Sequence, residues 1–249
     1  MAYIVHSSIS ENGTNGWDRK AKAGDQTGKE VCTRKWYSKP WDCVLRYPDI
    51  TVSAQARDIA IKLANSNLVG YDQSQRNTLY KELKKNNWDV GKYIKSGVKT
   101  ECDCSSFVYA VYCCVLPKLR GESNAPRTAT MKQFLTSKGF KCYTTSDYIA
   151  STNKLVKGDL LNKAGSHVVM FAGNDVNVNT VSAVPKIEYY TKYSGNTVSI
   201  VAALNTIGVD SSYSNRKNIA IKNGITNYSG TAAQNTKLLN LLKQGKLIK

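Results

Sequence analysis

Residues 101–117 read ECDCSSFVYAVYCCVLP, and this stretch decides both the fold and the chemistry that we predict. The run from Cys104 to Leu116 is apolar and stops at Pro117, which predicts a buried helix with Cys104 in its first turn. The positive end of the helix dipole lowers the pKa of a thiol placed there, and the first backbone N–H groups can hold an oxyanion. Cys104 is therefore the candidate nucleophile, whereas Cys113 and Cys114 are expected in the core.

A cysteine nucleophile needs an imidazole as proton acceptor, and the sequence contains two histidines. His167 opens an apolar strand, which follows a second apolar stretch at 156–161 across a glycine-containing turn. His6 lies in an N-terminal region without clear periodicity. A lone histidine on a strand is more often structural. The order of a Cys-bearing helix followed by a His-bearing strand nevertheless favours His167 as the general base.

A third polar group is expected to orient the imidazole. Asn179 lies twelve positions after His167, on what we expect to be the next antiparallel strand of a hairpin. Strand alternation puts Asn177 on the same face. We predict Asn179 in this role, with Asn177 as the second choice.

Apolar spacing predicts helices first and strands later. The predicted helices are 53–68, 76–86, 89–96, 104–116 and 128–138, and the predicted strands are 159–161, 167–172, 176–184, 186–190 and 198–203. Residues 1–50 are predicted to be irregular. This order favours an α+β fold, with the Cys-bearing helix packed on a central antiparallel sheet built from the later half.

The composition of the 249 residues favours a folded protein with a polyanionic partner. With 41% hydrophobic residues a core is expected, and 35 Lys+Arg against 18 Asp+Glu give a formal charge of +17. Nucleic acid, an acidic membrane face and an anionic cell wall all fit this charge. Nucleic acid is not favoured, because basic and aromatic residues do not interleave in a recognition pattern. We predict no membrane span and no secretory signal.

The seven cysteines show neither a disulfide framework nor zinc-ligand spacing. Their close pairs are spaced C-x-C and C-C. Without a secretory signal, reduced thiols are the default expectation. We therefore predict no metal and no cofactor.

The C-terminal stretch has a different composition. Residues 211–249 contain seven Lys/Arg and no acidic residue, and helices are predicted at 214–222 and 231–243. We expect a catalytic domain over 1–205, with an irregular N-terminal extension, and a basic helical module or tail over 206–249. Two readings stay open for the latter: a solvated tail helix and a wall-binding module.

These motifs resemble those of the NlpC/P60 cysteine peptidases, which have a papain-like fold and cut bacterial cell-wall peptides. The stretch 103–108 is similar to the family's D-C-S-G/S motif, with Ser106 in place of the usual glycine. Residues 158–160 and 167–174 are similar to its His motif, and Asn179 stands where the family has its third polar residue. Tyr71 resembles an upstream aromatic residue of the family. The combination is also similar to phage-type peptidoglycan amidohydrolases, the lysins.

The resemblance implies a role for each matching residue. Cys104 would be the nucleophile, His167 the base and acid, and Asn179 the orienting group. Three further residues match positions that line the acceptor side and hold the amine end of the stem peptide: Tyr71, Asp103 and Ser105. The tail residues 216–239 also resemble the R-K…G…Y…Q…N helical repeats that some phage lysins use for wall binding.

The leading hypothesis is a peptidoglycan hydrolase, a cysteine endopeptidase that cuts a γ-D-glutamyl or cross-bridge bond through a thioester. Its partners would be peptidoglycan and anionic wall polymers. As a phage lysin it would be made in the host cytoplasm and act on the cell wall. One alternative is an N-acetylmuramoyl-L-alanine amidase that uses the same residues. The other is a non-catalytic wall binder, in which Cys104 is a core residue and the positive charge is the function.

Overall fold

A computed structural model describes residues 1–8, 30–121, 125–174, 188–225 and 227–249. The chain divides into two compact units, Met1–Val115 with Leu119–Pro185, and Leu116–Lys118 with Lys186–Lys249. The sequence predicts a domain boundary after residue 205, and the longer segment of the second compact unit starts at Lys186.

A six-stranded antiparallel sheet forms the centre of the first unit. Its strands are β1 (Ala2–Ser7), β2 (Val31–Lys35), β3 (Cys43–Arg46), β6 (Lys141–Tyr143), β7 (Leu160–Lys163) and β8 (His167–Asn174). Their spatial order is β2-β1-β8-β7-β3-β6. A separate parallel pair consists of β4 (Val69–Tyr71) and β5 (Thr100–Cys102). The predicted mixed fold of helices and a sheet is confirmed, and so is the predicted pairing of β7 with β8.

The prediction that residues 1–50 are irregular is wrong for the part that the structure describes. Three of the six strands of the central sheet come from these residues, so the sheet is not built from the later half alone. Strand β1 lies between β2 and β8, and its residues from Ile4 to Ser7 are buried. A short strand buried on both faces lacks the alternation by which sequence patterns reveal strands.

The helices of the first unit follow the predicted order. They are α1 (Ile50–Asn65), α2 (Thr78–Lys85), α3 (Val90–Ser96), α4 (Cys104–Val115), α5 (Thr128–Ser137) and the short α6 (Ser146–Ile149). Every residue of α4 from Cys104 to Cys114 is buried, which confirms the buried helix. The side chain of Asp49 caps α1 by accepting hydrogen bonds from the backbone N–H groups of Thr51 and Val52.

The Gly158-Asp159 pair before β7 fixes this strand to its surroundings. Gly158 has φ +92, and a Cβ there would lie 2.2 Å from the backbone oxygen of Ser53, so only glycine fits. The Asp159 carboxylate is fully buried and accepts hydrogen bonds from Nε and Nη2 of Arg46 at 2.8 and 2.7 Å. This part of the motif therefore has a structural role.

The second unit has its own helical core. Its helices are α7 (Ile200–Thr206), α8 (Tyr213–Lys222) and α9 (Ala232–Lys243), and the last two were predicted from the sequence. Leu204, Ile219 and Leu238 belong to one buried apolar cluster. The clustered residues come from all three helices, so this stretch is more than a single solvated tail helix.

Two strand predictions in the second unit are wrong. The segment 198–203 lies largely in helix α7, because Ser199 caps the helix and Ile200, Ala203 and Leu204 are buried at helical spacing. Of the predicted strand 186–190, the described residues form only an isolated bridge between Tyr189 and Ile248. The predicted strand 176–184 lies outside the described residues.

The repeat-like residues of the tail bond to one another. Arg216 Nη1 donates hydrogen bonds to the Tyr228 hydroxyl at 2.9 Å and to Asn235 Oδ1 at 3.1 Å, and the Tyr228 hydroxyl also donates to Asn235 Oδ1. Gln234 and Thr231 form a reciprocal capping box at the start of α9. The arrangement of these residues in the sequence is therefore accounted for by the fold of the unit.

Within the described ranges, the structure has no helix with the length and apolarity that a membrane crossing requires.

Candidate active site

The start of helix α4 is held by two residues that cap each other. The backbone N–H of Ser106 donates to Asp103 Oδ1 at 2.7 Å, and the backbone N–H of Asp103 donates to Ser106 Oγ at 2.8 Å. This reciprocal pair has the geometry of a capping box, with serine in the position that glutamate usually occupies. The hydroxyl of Ser106, which stands at a glycine position of the resembling family, therefore fixes the turn that carries Cys104.

Asp103 and Ser105 form a buried network with Arg76. Arg76 Nε donates to Asp103 Oδ2 at 2.5 Å, and Arg76 Nη2 and Ser105 Oγ interact at 2.8 Å. Ser105 Oγ also donates to Asp103 Oδ1 at 2.8 Å. Burial raises the pKa of Asp103, but the hydrogen bonds and charge of Arg76 outweigh this and hold the pKa below its usual range. The described contacts of these two predicted substrate-binding residues are internal, and they order the helix start.

Cys104 lies where strands β1 and β8 part. Their pairing ends at Val5 and Met170. The backbone N–H and C=O of Phe171 form their hydrogen bonds on the β7 side of β8. Because the direction of these groups alternates from residue to residue along a strand, the N–H of Val168 points to the β1 side. This N–H acts on the Cys104 thiol and lowers its pKa. The nucleophile candidate thus lies near the start of strand β8, which His167 opens.

The Cys104 thiol is protonated in the free protein. Burial raises its pKa to about 12, with a further contribution from the Asp103 carboxylate, and the N–H groups of Val168 and Ser105 only partly offset this. The expectation that the helix dipole makes a thiolate here is therefore wrong, because desolvation at a site 7% exposed outweighs it. Attack by Cys104 requires a base that removes the proton.

His167 is neutral and is held by two rings. Its ring stacks on Trp41 at a centroid distance of 6.4 Å and meets His6 edge-on at 6.1 Å. Burial, together with the positive charges of Lys39 and Arg34, lowers its pKa to about 4 against the opposite effect of Asp103. A neutral imidazole has the protonation state that a general base for a protonated thiol needs.

His6 is a residue of this site that the sequence pattern did not reveal. It lies on β1, opposite Cys32 of β2, and its Nε2 is 3.3 Å from the Cys32 sulfur. Burial lowers the pKa of His6 to about 3, helped by the charges of His167 and Arg34. Its signal in the sequence was the apolar run Tyr3–Val5 directly before it, which marks a buried strand.

Asn179 and Asn177 lie outside the described residues, so the orienting role stays a prediction. The strand order of the sheet nevertheless bears on the expected position of Asn179. Strand β8 has β1 on one edge and β7 on the other. The proposed hairpin between β8 and the chain that follows it therefore no longer supports the placement of Asn179 beside His167.

Tyr71 lies at the end of β4, close to the thiol. Its backbone N–H donates to Glu30 Oε2 at 2.7 Å, and its hydroxyl accepts a hydrogen bond from Gln73 Nε2 at 3.0 Å. Burial raises the pKa of the Tyr71 hydroxyl, and the nearby Cys104 sulfur contributes to this shift. Tyr71 thus lies within electrostatic range of Cys104, and its substrate-binding role stays a prediction.

Residues 36–41, between β2 and β3, contribute further aromatic side chains to the site. Tyr37 packs against Trp41 at a centroid distance of 6.0 Å, and Trp41 packs on His167. Burial raises the pKa of Tyr37 to about 12, and Cys104 adds to this shift against the effect of Arg34. The sequence showed tryptophans here, but nothing in their spacing linked them to His167.

Residues 4–178 match the model of the endolysin-like domain family, so the match runs from β1 past the end of β8 and contains Cys104, His6 and His167. The chain belongs to the endolysin-like domain family. The endolysin-like domain therefore includes the N-terminal strands as well as the cysteine helix.

Two curated relatives match this endolysin-like chain. A protein named endolysin, from Listeria phage A511, is 30% identical over 177 residues, which cover 64% of this chain and 52% of that protein. A protein named L-alanyl-D-glutamate peptidase, from Listeria phage A118, is 53% identical over 51 residues, 20% of this chain and 18% of that protein. The chain thus spans about half of the first relative and less of the second. No solved structure matches it.

The length of the shorter match limits what it says about the site. His167 lies 63 positions after Cys104. A match of 51 residues cannot contain both.

Within the described ranges, no group of three or more His, Cys, Asp or Glu side chains is arranged to hold a metal ion.

Proposed function

We propose that this protein is a peptidoglycan hydrolase of the phage endolysin type, a cysteine peptidase that cuts an amide bond of the cell-wall stem peptide. One observation carries the proposal. In an endolysin-like domain, a protonated thiol at a helix start is acted on by the backbone N–H of Val168, and the residue before Val168 is the neutral His167. The name of the A511 relative supports the phage origin and the action on the wall.

The reaction begins with proton transfer. His167 takes the proton of the Cys104 thiol as the sulfur attacks the amide carbonyl carbon. The backbone N–H of Cys104, at the start of α4, is the donor that we assign to the oxyanion, since the N–H of Ser106 is already bonded to Asp103. The C–N bond then breaks, and His167 returns the proton to the departing amine.

Hydrolysis of the thioester completes the cycle. With the amine gone, His167 accepts a proton from water, which attacks the thioester carbonyl. The C–S bond breaks, the acid product leaves, and the thiolate of Cys104 takes back its proton. Every step of this proposal uses Cys104 and His167, and none needs a cofactor.

We assign the catalytic unit to the NlpC/P60 type with a papain-like fold. The order of the motifs supports this assignment, as does the packing of the cysteine helix against a central antiparallel sheet. Tyr71 lines the cleft in this proposal, and Asn179 orients His167. The bond that we favour is a γ-D-glutamyl or cross-bridge amide.

The second unit is our candidate for wall attachment. Residues 211–249 carry seven Lys/Arg and no acidic residue, and they fold around a separate apolar core. Anionic wall polymers would attract such a surface, and the attraction weakens as salt screens it. Retention of the Cys104→Ala protein on purified walls at rising salt tests this. Binding that is insensitive to salt would contradict an electrostatic attachment.

Mass spectrometry of wall digests tests the reaction itself. Purified cell walls are incubated with the protein, and the released fragments are analysed for newly exposed amino groups. A new amine within the stem peptide identifies a peptidase. A new amine on the first alanine, with the muramic lactyl group as the acid, identifies the amidase alternative. Binding without any released fragment would reject the hydrolase in favour of a wall binder.

A further inference from the structure

A continuous aromatic and cationic wall leads to the catalytic histidine. The Arg34 guanidinium lies 5.4 Å from the centroid of the Tyr37 ring, Tyr37 packs on Trp41, and Trp41 stacks on His167. Arg34 is on the same face of the sheet as His6, because it pairs with Ile4 while Cys32 pairs with His6. Cationic and aromatic groups are thus aligned from β2 to His167.

Lys39 belongs to the same wall. The backbone N–H of Trp41 donates to the Lys39 carbonyl at 2.6 Å, which closes a tight turn around Pro40. The positive charges of Lys39 and Arg34 both act on His167. The turn therefore holds a cation and the stacking partner of the base together.

These cations have no carboxylate partner among the residues that the structure describes. Nearby Asp42 pairs with Lys163 at 2.7 Å, and Asp103 pairs with Arg76. In addition, the side chain of Trp41 is only 3% exposed. Its buried indole N–H has no hydrogen-bond partner in the described part of the chain. Two cations and one unused buried donor next to a catalytic base fit an oxygen-rich anion.

We propose that Arg34, Lys39 and Trp41 form a subsite for a carboxylate on the amine-side half of the scissile amide. This inference rests on the proposed function and deepens it. His167 returns a proton to the departing amine, so groups around His167 face that half of the substrate. The departing half would be an acidic residue of the stem peptide whose side-chain or α-carboxylate is free, such as D-glutamate or diaminopimelate.

The subsite predicts discrimination by a single charge. A stem peptide whose carboxylate is converted to a carboxamide keeps its shape and loses the charge. Charge-assisted hydrogen bonds to Arg and Lys make the free acid the better ligand by about tenfold or more. The muramoyl-alanine bond of the amidase alternative has no free carboxylate on its departing residue, so the subsite favours the peptidase.

The test uses four synthetic stem tetrapeptides with free or amidated carboxylates at the second and third residues. Their affinities for the full-length Cys104→Ala protein are measured by calorimetry, and their cleavage by wild type is followed by mass spectrometry. Arg34→Gln and Lys39→Gln are introduced singly and together. Lys35→Gln is the matched control, since Lys35 is exposed and alternates to the other face of β2.

We expect one free carboxylate, on the amine side of the bond that wild type cuts, to increase affinity about tenfold or more. The double variant should lose this preference and still bind the amidated peptide, while Lys35→Gln keeps the preference. Equal affinity for free and amidated peptides, or a preference that survives in the double variant, would overturn the subsite while cleavage continues. If wild type cuts none of the peptides, the proposed function fails and the amine-side subsite fails with it.

Discussion

The backbone N–H of Val168, the residue after His167, acts on the Cys104 thiol and lowers its pKa. Strands β1 and β8 stop pairing at Val5 and Met170, and alternation along β8 directs the N–H of Val168 to the β1 side. A helix start and a strand start that are far apart in the sequence therefore meet at one point. The chemistry that we propose depends on this meeting point.

His167→Ala should abolish wall hydrolysis. Without the imidazole, nothing removes the proton from a thiol whose pKa burial has raised to about 12. The loss of general-base catalysis costs about 10²–10⁴ in rate. The measurement is the initial rate at which new amino groups appear on purified walls, with circular dichroism to verify the fold.

His6→Ala is the matched control for that variant. His6 packs on His167 and contacts Cys32, but its Nε2 faces the Cys32 sulfur. We expect reduced turnover that remains measurable. An inactive, folded His6→Ala protein together with an active His167→Ala protein would reverse the assignment of the base.

The acid limb of the activity profile should lie near pH 4. His167 must be neutral to act as a base, and burial with the charges of Lys39 and Arg34 lowers its pKa to about 4. A fully amidated peptide is the substrate, so that substrate carboxylates do not titrate. Lys39→Gln should move the limb to higher pH. A wild-type limb near the ordinary histidine pKa of about 6.5 would contradict the buried environment of His167.

Acid should destabilise the fold through the same histidines. In the unfolded chain a histidine binds a proton as the pH falls below about 6.5, whereas His6 and His167 stay neutral in the folded protein to about 3 and about 4. The unfolded state thus binds more protons, and stability falls as the pH falls through this window. At pH 5 the loss is about 2 kcal/mol for each histidine.

Urea unfolding at pH 7 and pH 5 measures this loss, and His6→Gln isolates one histidine. The wild type should lose more stability than His6→Gln between the two pH values. Equal losses in both proteins would show that His6 is not held in its neutral form by the fold.

Arg76→Met should destabilise the fold strongly. It removes the guanidinium that neutralises Asp103, a carboxylate only 4% exposed. Breaking a buried ion pair from one side costs about 3–5 kcal/mol. The midpoint of urea unfolding gives the loss, and adding Asp103→Asn should recover part of it because the unpaired charge disappears. A loss under about 1 kcal/mol would show that Asp103 does not need this partner.

Local patterns predicted the elements that carry local signals. The apolar run ending at Pro117 defined α4, and the apolar stretches on both sides of a glycine turn defined the β7–β8 pair. These features depend on neighbours in the sequence. The nucleophile and the base candidate could therefore be identified before the structure was known.

Long-range pairing and desolvation could not be predicted in this way. Strand β1 pairs with β8, more than 160 positions away, and nothing in the segment around His6 encodes its partner. The pKa of Cys104 depends on how deeply the folded chain buries it, which a helix-dipole argument leaves out. The β-branched residues of α7 are typical of a strand, but the cap at Ser199 and packing in the core of the second unit stabilise a helix.

The role of Cys104 as nucleophile is tested by comparing Cys104→Ala with wild type on purified cell walls. Cys142→Ser is the matched control, because Cys142 is a half-buried thiol on the edge strand β6. We expect wild type and Cys142→Ser to expose new amino groups at similar rates, and folded Cys104→Ala to expose none. Clearing of the walls by Cys104→Ala at the wild-type rate would contradict the claim that Cys104 is the nucleophile.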